Sequence, residues 1–336
     1  MTKKNLNLNA EPEEGIFLLA PAIKETIWGG SKLKENYGKQ SDKANIAESW
    51  ECSVHPKGLS KIINGIYKGK YLRDVLIAHP EYLGNKIKNI DEFPFLIKFI
   101  DAKDKLSVQV HPTDEYAKKH EHGASGKTEM WYIIEAENNA ELIYGFYDDI
   151  TKQQLAKNVY NGEIEKYLNK ARTKQNDVFF IPAGTVHGIG AGNLLLEVQE
   201  NSDITYRLYD YNRIDKNGNK RELHIEKALE AVDYKKIANI RQPMRLLKYQ
   251  KGYAKELLCK CKYFVVERVI INTEAKKIGI ISDSNISVFV CINGQGKIFS
   301  ENGKILNIQK GNSVFISNIV KKFAVIGNMT LIKVTY

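Results

Sequence analysis

Residues Asp177–Gly190 read DVFFIPAGTVHGIG, and this stretch decides the fold. An apolar run typical of a buried strand stops at Pro182, a turn follows at Gly184, and His187 enters the next strand. The P-x-G-x-x-H pattern therefore sets an imidazole on the inner wall of a β-structure, its direction fixed by the turn. Upstream, Ser107–Asp114 reads SVQVHPTD, where Gln109 and His111 occupy alternate positions of a short strand. Side chains two apart point to the same face, so these two stand together while Val108 and Val110 point away. The run before it, Phe93–Ile100, has the composition of a neighbouring buried strand. In Lys127–Trp131, KTEMW, the residues Lys127, Glu129 and Trp131 share a face by the same rule.

Two imidazoles, a carboxylate and an amide oxygen fit a borderline divalent ion, most naturally zinc. A structural zinc site is closed by four strong ligands, usually with thiolates. This set has no thiol and one weak donor, which leaves room for water or a substrate oxygen, as in a catalytic site. The other histidines have plainer readings: His55 and His79 precede prolines, His120 and His122 lie in a lysine-rich loop, and His224 opens a helix.

Most of the chain alternates short strands with turn residues, as in Gly15–Pro21, Ile46–Ser53, Glu129–Glu135, Ala140–Phe146, Leu194–Gln199 and Asp203–Leu208. Helical spacing is confined to Tyr71–His79, Asp149–Leu168 and Leu223–Val232. Many strands and few helices predict a mainly β barrel or sandwich with helical insertions, not alternating βαβ units. Residues 1–15 read as a solvated tail, 16–240 as the catalytic domain, and 241–336 as a smaller β-domain reached through an irregular basic linker after Tyr234. Asp177–His187 can be laid over Asn312–Lys322, which suggests two related β-units. Lysine stands in the second where the first has His187, so the second is expected to hold no metal.

The 336 residues carry a net charge of +10, with lysines scattered singly rather than massed. No nucleic-acid-binding signature is present, and the charge is compatible with an anionic small substrate. No apolar run reaches membrane-spanning length, and the N-terminus has no apolar signal core. Four cysteines, 52, 259, 261 and 291, without C-x-x-C spacing, suggest reduced thiols and a cytoplasmic protein. No membrane, nucleic-acid or obligate protein partner is expected.

The motifs QVHP, GKTEMWY, FIPAGTVH and Glu197…SDITYRLYD, with Ile27-Trp-Gly-Gly30 and Glu48-Ser-Trp-Glu51 ahead of them, resemble those of the type I phosphomannose isomerases. The likeness runs from about Leu18 to Tyr211 and is thinner beyond. It implies a cupin-type jelly-roll with a cupin-like C-terminal domain, and reversible interconversion of mannose 6-phosphate and fructose 6-phosphate with one zinc per chain. It also implies Gln109, His111, Glu129 and His187 as zinc ligands, Arg207 as the active-site arginine, and Lys127 and Glu197 as polar residues of the pocket. The sequence departs from the general cupin pattern at Gln109, where many cupins have histidine, at Asn176 in place of glycine, and at Ala191 in place of asparagine.

Moving a carbonyl between two sugar carbons needs a base near the transferred proton. Glu197, Lys127 and a metal-activated water all qualify. Arg207 can stabilise oxyanion charge, hold a phosphate, or simply pair with Asp203 or Asp210. Another metal-cupin enzyme, such as an oxygenase or a different sugar-phosphate isomerase, and a non-catalytic sugar-binding cupin are the alternative readings.

Overall fold

A computed structural model describes residues 15–336 except 43, 216, 239, 240 and 282–285. The expected tail, Gly15 aside, lies outside the described residues. The chain begins with β1 (Ile16–Ala20), β2 (Ala22–Lys24), α1 (Lys32–Tyr37), β3 (Glu48–Cys52), β4 (Lys61–Ile62) and α2 (Leu72–Ala78). There follow β5 (Phe95–Ala102), β6 (Val108–Val110), α3 (Asp114–His120), β7 (Glu129–Ala136), β8 (Glu141–Phe146) and α4 (Lys152–Tyr160). Next come β9 (Leu168–Arg172), β10 (Val178–Ile181), β11 (His187–Ile189), β12 (Asn193–Glu200), β13 (Tyr206–Tyr209) and α5 (Ile225–Ala231). The last segment holds β14 (Arg245–Gln250), β15 (Tyr253–Lys260), β16 (Val265–Ile281), β17 (Ser287–Ser300), β18 (Ile305–Gln309), β19 (Ser313–Ile316) and β20 (Lys322–Thr335). The fold is mainly β, as the strand pattern predicts.

Two compact units result. Of the described residues, one unit takes those within 23–49 and 95–243, the other those within 15–22, 50–94 and 244–336. In the first, a sheet ordered β13-β6-β11-β8-β9 lies opposite strands of a second sheet ordered β10-β7-β12-β5-β3-β2. Their inner faces meet in one apolar cluster with Ile100, Trp131 and Phe179 from one sheet and Leu142, Tyr144 and Ile189 from the other. The outer face of the five-stranded sheet, with Val108, Val110, Ile143 and Leu208, packs under α4 and α5 through Leu155, Val159, Ala228 and Leu229. Alternation along β6 thus gives its valines to the helical layer and Gln109 to the opposite side.

The helical insertion is shorter than its spacing suggests. Thr151 and Gln154 cap α4 reciprocally, at 3.2 and 2.8 Å. Gly162 adopts φ +71°, and the segment expected to continue as helix becomes a 3₁₀ turn and then β9. α1 and α3 were not predicted, and both are one to two turns long, too short for a clear periodicity. Asn176 also adopts a left-handed conformation, φ +73°, which explains why glycine and asparagine suit that position. In the Trp-Gly-Gly motif, a Cβ on Gly30 would lie 2.4 Å from Asp101 Oδ2, whose carboxylate accepts from Lys32 N at 2.8 Å at the start of α1.

The second unit is built on the sheet β14-β15-β16-β20-β17-β19-β1-β4, with β18 pairing β17. The N-terminal strand β1 pairs antiparallel with β19, and the stretch expected as linker contains β14, exposed along its length. β20 starts at Lys322 just as β11 starts at His187. The four cysteines are free, and no helix among the described residues is long and apolar enough to cross a membrane.

Candidate metal centre

Strand register builds the site from the five-stranded sheet. Gln109 on β6 pairs with His187 on β11 and with Arg207 on β13, and His187 pairs with Tyr144 on β8. Directly paired residues share a face, so Tyr144, His187, Gln109 and Arg207 form one row. His111 joins it from the end of β6. The proline turn locks the two imidazoles together: Thr185 N donates to Pro182 O at 3.1 Å, and Gly184 N donates to His111 O at 2.9 Å. Gly184 adopts φ +90°, a conformation that costs glycine least.

Glu129 enters from β7. Its Oε1 lies 3.3 Å from His111 Nε2 and its Oε2 lies 3.7 Å from His187 Nε2. The imidazole ring centres are 4.7 Å apart, and one donor atom from each of the three residues lies within 4.8 Å of the others. All three residues are buried, and among the described residues no other three ligating groups cluster in this way. His111 Nδ1 lies 2.7 Å from Ile204 O and His187 Nδ1 lies 2.8 Å from Thr185 O. A carbonyl can only accept, so both rings carry the proton on Nδ1 and aim the Nε2 lone pair at the centre. Gln109 Nε2 lies 3.4 Å from His187 Nε2, and a half-turn of the terminal amide presents Oε1 instead.

These groups fit a metal. Burial, reinforced by the Lys127 charge, holds His111 near a pKa of about 3, and burial lowers His187 as well, so both rings are neutral at pH 7. Burial works against a charge on Glu129, but the Lys127 ammonium outweighs it and the carboxyl is held well below its ordinary value. Glu129 Oε2 is buried and accepts no hydrogen bond among the described residues. The Lys127 ammonium bonds to Glu129 Oε1 and lies 3.1 Å from His111 Nε2, placing a positive charge where the donors converge.

Glu197 on β12 pairs with Trp131 on β7 and with Lys98 on β5. Its Oε2 accepts from Trp131 Nε1 at 3.0 Å, and Lys98 Nζ lies 3.0 Å from Oε1 and 3.7 Å from Glu48. Burial and the charge on Glu129 raise the Glu197 carboxyl, against the pull of Lys98. Lys98 itself is raised: burial disfavours its charge, and Glu197 and Glu48 more than compensate. Sequence reasoning missed Lys98, although a lone lysine inside the apolar run FPFLIKFI was the available signal. Arg207 is half-buried; its Nη1 donates to Glu222 O at 2.7 Å and its Nε to Ser107 Oγ at 3.3 Å. Asp210, a partner expected for it, is instead taken by Arg213 and Arg221.

A carboxyl pair braces the strand that carries Glu129. Glu200 Oε1 accepts from Thr128 N at 2.7 Å, and Asp114, which hydrogen-bonds the Glu200 carboxyl, accepts from Gly126 N at 3.0 Å. Burial pushes Glu200 up to about 8, with Asp114 adding to it and Thr128 opposing. The unfolded chain releases this proton near the ordinary value of 4.5, so between there and about 8 it binds fewer protons than the folded chain. Stability contributed by Glu200 therefore falls as pH rises through that window. Glu200→Gln keeps the acceptor for Thr128 and offers Asp114 a permanent donor. Its melting temperature should exceed that of the parent at about pH 8, with the gap closing toward about pH 5. A gap that does not change with pH would refute this role.

Comparison with known proteins gives concordant findings. The model of the type I phosphomannose isomerase catalytic domain matches residues 16–142, and that of the mannose-6-phosphate isomerase cupin domain matches residues 254–336. A mannose-6-phosphate isomerase of Streptococcus mutans is 36% identical over 319 residues, covering 95% of this chain and 97% of its own. Another, from Bacillus subtilis, is 46% identical over 213 residues, or 63% of this chain and 66% of its own. The crystal structure of a Bacillus subtilis mannose 6-phosphate isomerase aligns with a TM-score of 0.89 at 35% identity, covering 96% of this chain and all of that one.

Proposed function

The chain belongs to the type I phosphomannose isomerases, and on that premise we propose that it interconverts mannose 6-phosphate and fructose 6-phosphate at a single zinc ion held by Gln109, His111, Glu129 and His187. The observation that carries this reading is the convergence of two Nδ1-protonated imidazoles on one buried carboxylate. When bound, the ion supplies Lewis acidity that offsets negative charge developing on the substrate oxygens along an enediol(ate) path.

The remaining work falls to side chains. Glu197, with its raised carboxyl, is suited to accept and return the proton that moves between sugar carbons 1 and 2. Its hydrogen bond from Trp131 fixes the carboxyl plane and leaves the other oxygen to the Lys98 side. Lys127 can donate to a substrate oxygen once a cation replaces it beside Glu129 and His111. Arg207, in the row beyond Gln109, has its Nη2 without an internal hydrogen bond among the described residues. That group is positioned to hold an anionic oxygen of the substrate. The free thiols support a reducing, cytoplasmic setting for this reaction.

The test is a coupled isomerase assay on mannose 6-phosphate before and after chelation, with zinc added back. Turnover should vanish on chelation and return with one equivalent of zinc. Full activity in chelated protein would rule the metal out. Gln109→Ala should keep the fold and weaken zinc binding by roughly tenfold. Unchanged affinity would make the glutamine a bystander.

A further inference from the structure

The unit that holds the C-terminal segment carries, on the face away from its core, a set of side chains that the isomerase reaction leaves unused. Strand register sets Gln309 of β18, Gln295 of β17, Asn328 of β20 and Asn272 of β16 opposite one another, a line of four amides across four adjacent strands. One step along, Asn307 pairs with Lys297 and Lys297 with Ile326. One step further, Phe299 lies between Ile305 and Ala324. The intervening residues Ile298, Ile308, Val325 and Met329 point into the core, which fixes the amides and Phe299 on the opposite face.

This face is concave. Gln295, Asn307, Gln309, Asn328 and Phe299 line a cleft of about 700 Å³, within the range of about 300–1,000 Å³ usual for small-molecule sites. Glycine at its floor permits the curvature. A Cβ on Gly296 would lie 2.4 Å from Ile326 O, and one on Gly327, at φ +142°, would lie 2.5 Å from Gln295 O.

The choice of residues runs against strand preference. Asparagine is depleted in strands, where threonine, tyrosine and valine are favoured on exposed faces. Among the described residues, the side chains of Asn272, Gln295, Asn307, Gln309 and Asn328 make no internal hydrogen bond. A local rule broken without structural compensation marks a functional surface. Each amide offers donors and an acceptor together, which is what a ring of hydroxyls requires. Phe299 and Ile326 supply the apolar contact for a sugar's C–H face; the Lys277 ammonium lies 3.8 Å over the Phe299 ring and flanks that contact.

We propose that this cleft is a hexose-binding site distinct from the metal centre. The shared chemistry is a pyranose ring, presented by a neutral sugar or by a phosphorylated one whose phosphate Lys297 would pair with. The probe is methyl α-mannopyranoside, whose locked anomeric carbon prevents isomerisation. It is titrated into full-length, zinc-loaded, ¹⁵N-labelled protein while the side-chain NH₂ resonances of Gln295, Gln309 and Asn328 are followed. These should shift and saturate in the millimolar range. Gln295→Ala/Asn328→Ala should bind at least about tenfold more weakly, with kcat and KM for mannose 6-phosphate unchanged. Arg207→Ala, which alters the substrate site, should titrate like the parent. In that variant, tighter binding of mannose 6-phosphate than of the glycoside, lost on adding Lys297→Ala, assigns a phosphorylated hexose; equal binding assigns a neutral one. Absence of a saturable shift with either sugar, or a double variant that binds both as the parent does, overturns the proposal.

Discussion

Glu129→Gln is expected to release the metal and to cut turnover of mannose 6-phosphate by about 10³-fold or more. Glu129 is the sole anion in the proposed ligand set, wholly buried, with His111, His187 and Lys127 arranged around its two oxygens. Glutamine keeps the volume and removes the charge, so the change isolates electrostatics from packing. Lewis-acid assistance is worth several kcal/mol, and each 1.36 kcal/mol is tenfold in rate, which sets the expected loss at about three orders of magnitude. Without metal the variant also leaves the Lys127 ammonium uncompensated, a defect of about 3–5 kcal/mol for a buried pair. Metal content by mass spectrometry and steady-state kinetics read the outcome. A variant that retains a full equivalent of zinc with kcat within about tenfold of the parent would remove Glu129 from the site.

Lys98→Met should cost about 3–5 kcal/mol of unfolding free energy, because it strands a buried carboxylate. Lys98 is 6% exposed within β5 and lies against both Glu197 and Glu48, while Glu197 also accepts from Trp131. Methionine fills the same space without charge. The second half of the experiment is Lys98→Met/Glu197→Gln, in which glutamine still accepts from Trp131 and carries no charge. Residues in contact do not contribute additively, so the double variant should recover at least half of the loss. Urea unfolding of zinc-loaded protein measures both. A single variant within about 1 kcal/mol of the parent, or a strictly additive double, would mean that the pair does not support this strand.

Much of the site is legible from local chemistry. Gln109 and His111 share a face because they are two apart in a strand, and Glu129 and Trp131 do so for the same reason. The P-x-G-x-x-H turn fixes His187 through backbone geometry alone. Helical segments were less legible. α1 and α3 span barely two turns, and the Asp149–Leu168 pattern could not reveal that Gly162 would end the helix and free Leu168–Arg172 to pair with β8. Lys98 was invisible for a different reason. A lysine in an apolar strand is ordinarily placed at an edge, and only the approach of Glu197 makes its burial tolerable.

By itself, then, the sequence determined which side chains stand on which face of each strand, because alternation is a property of the backbone and needs no partner. It likewise supplied the candidate donors His111, Glu129 and His187, a thiol-free group with one carboxylate that the fold brings together. The tertiary structure decided the rest. Gln109 and His187, 78 residues apart, become neighbours only because β6 and β11 pair. The direction in which His111, Glu129 and Glu197 shift was decided there too, since it depends on how completely water is excluded and on which charges face one another.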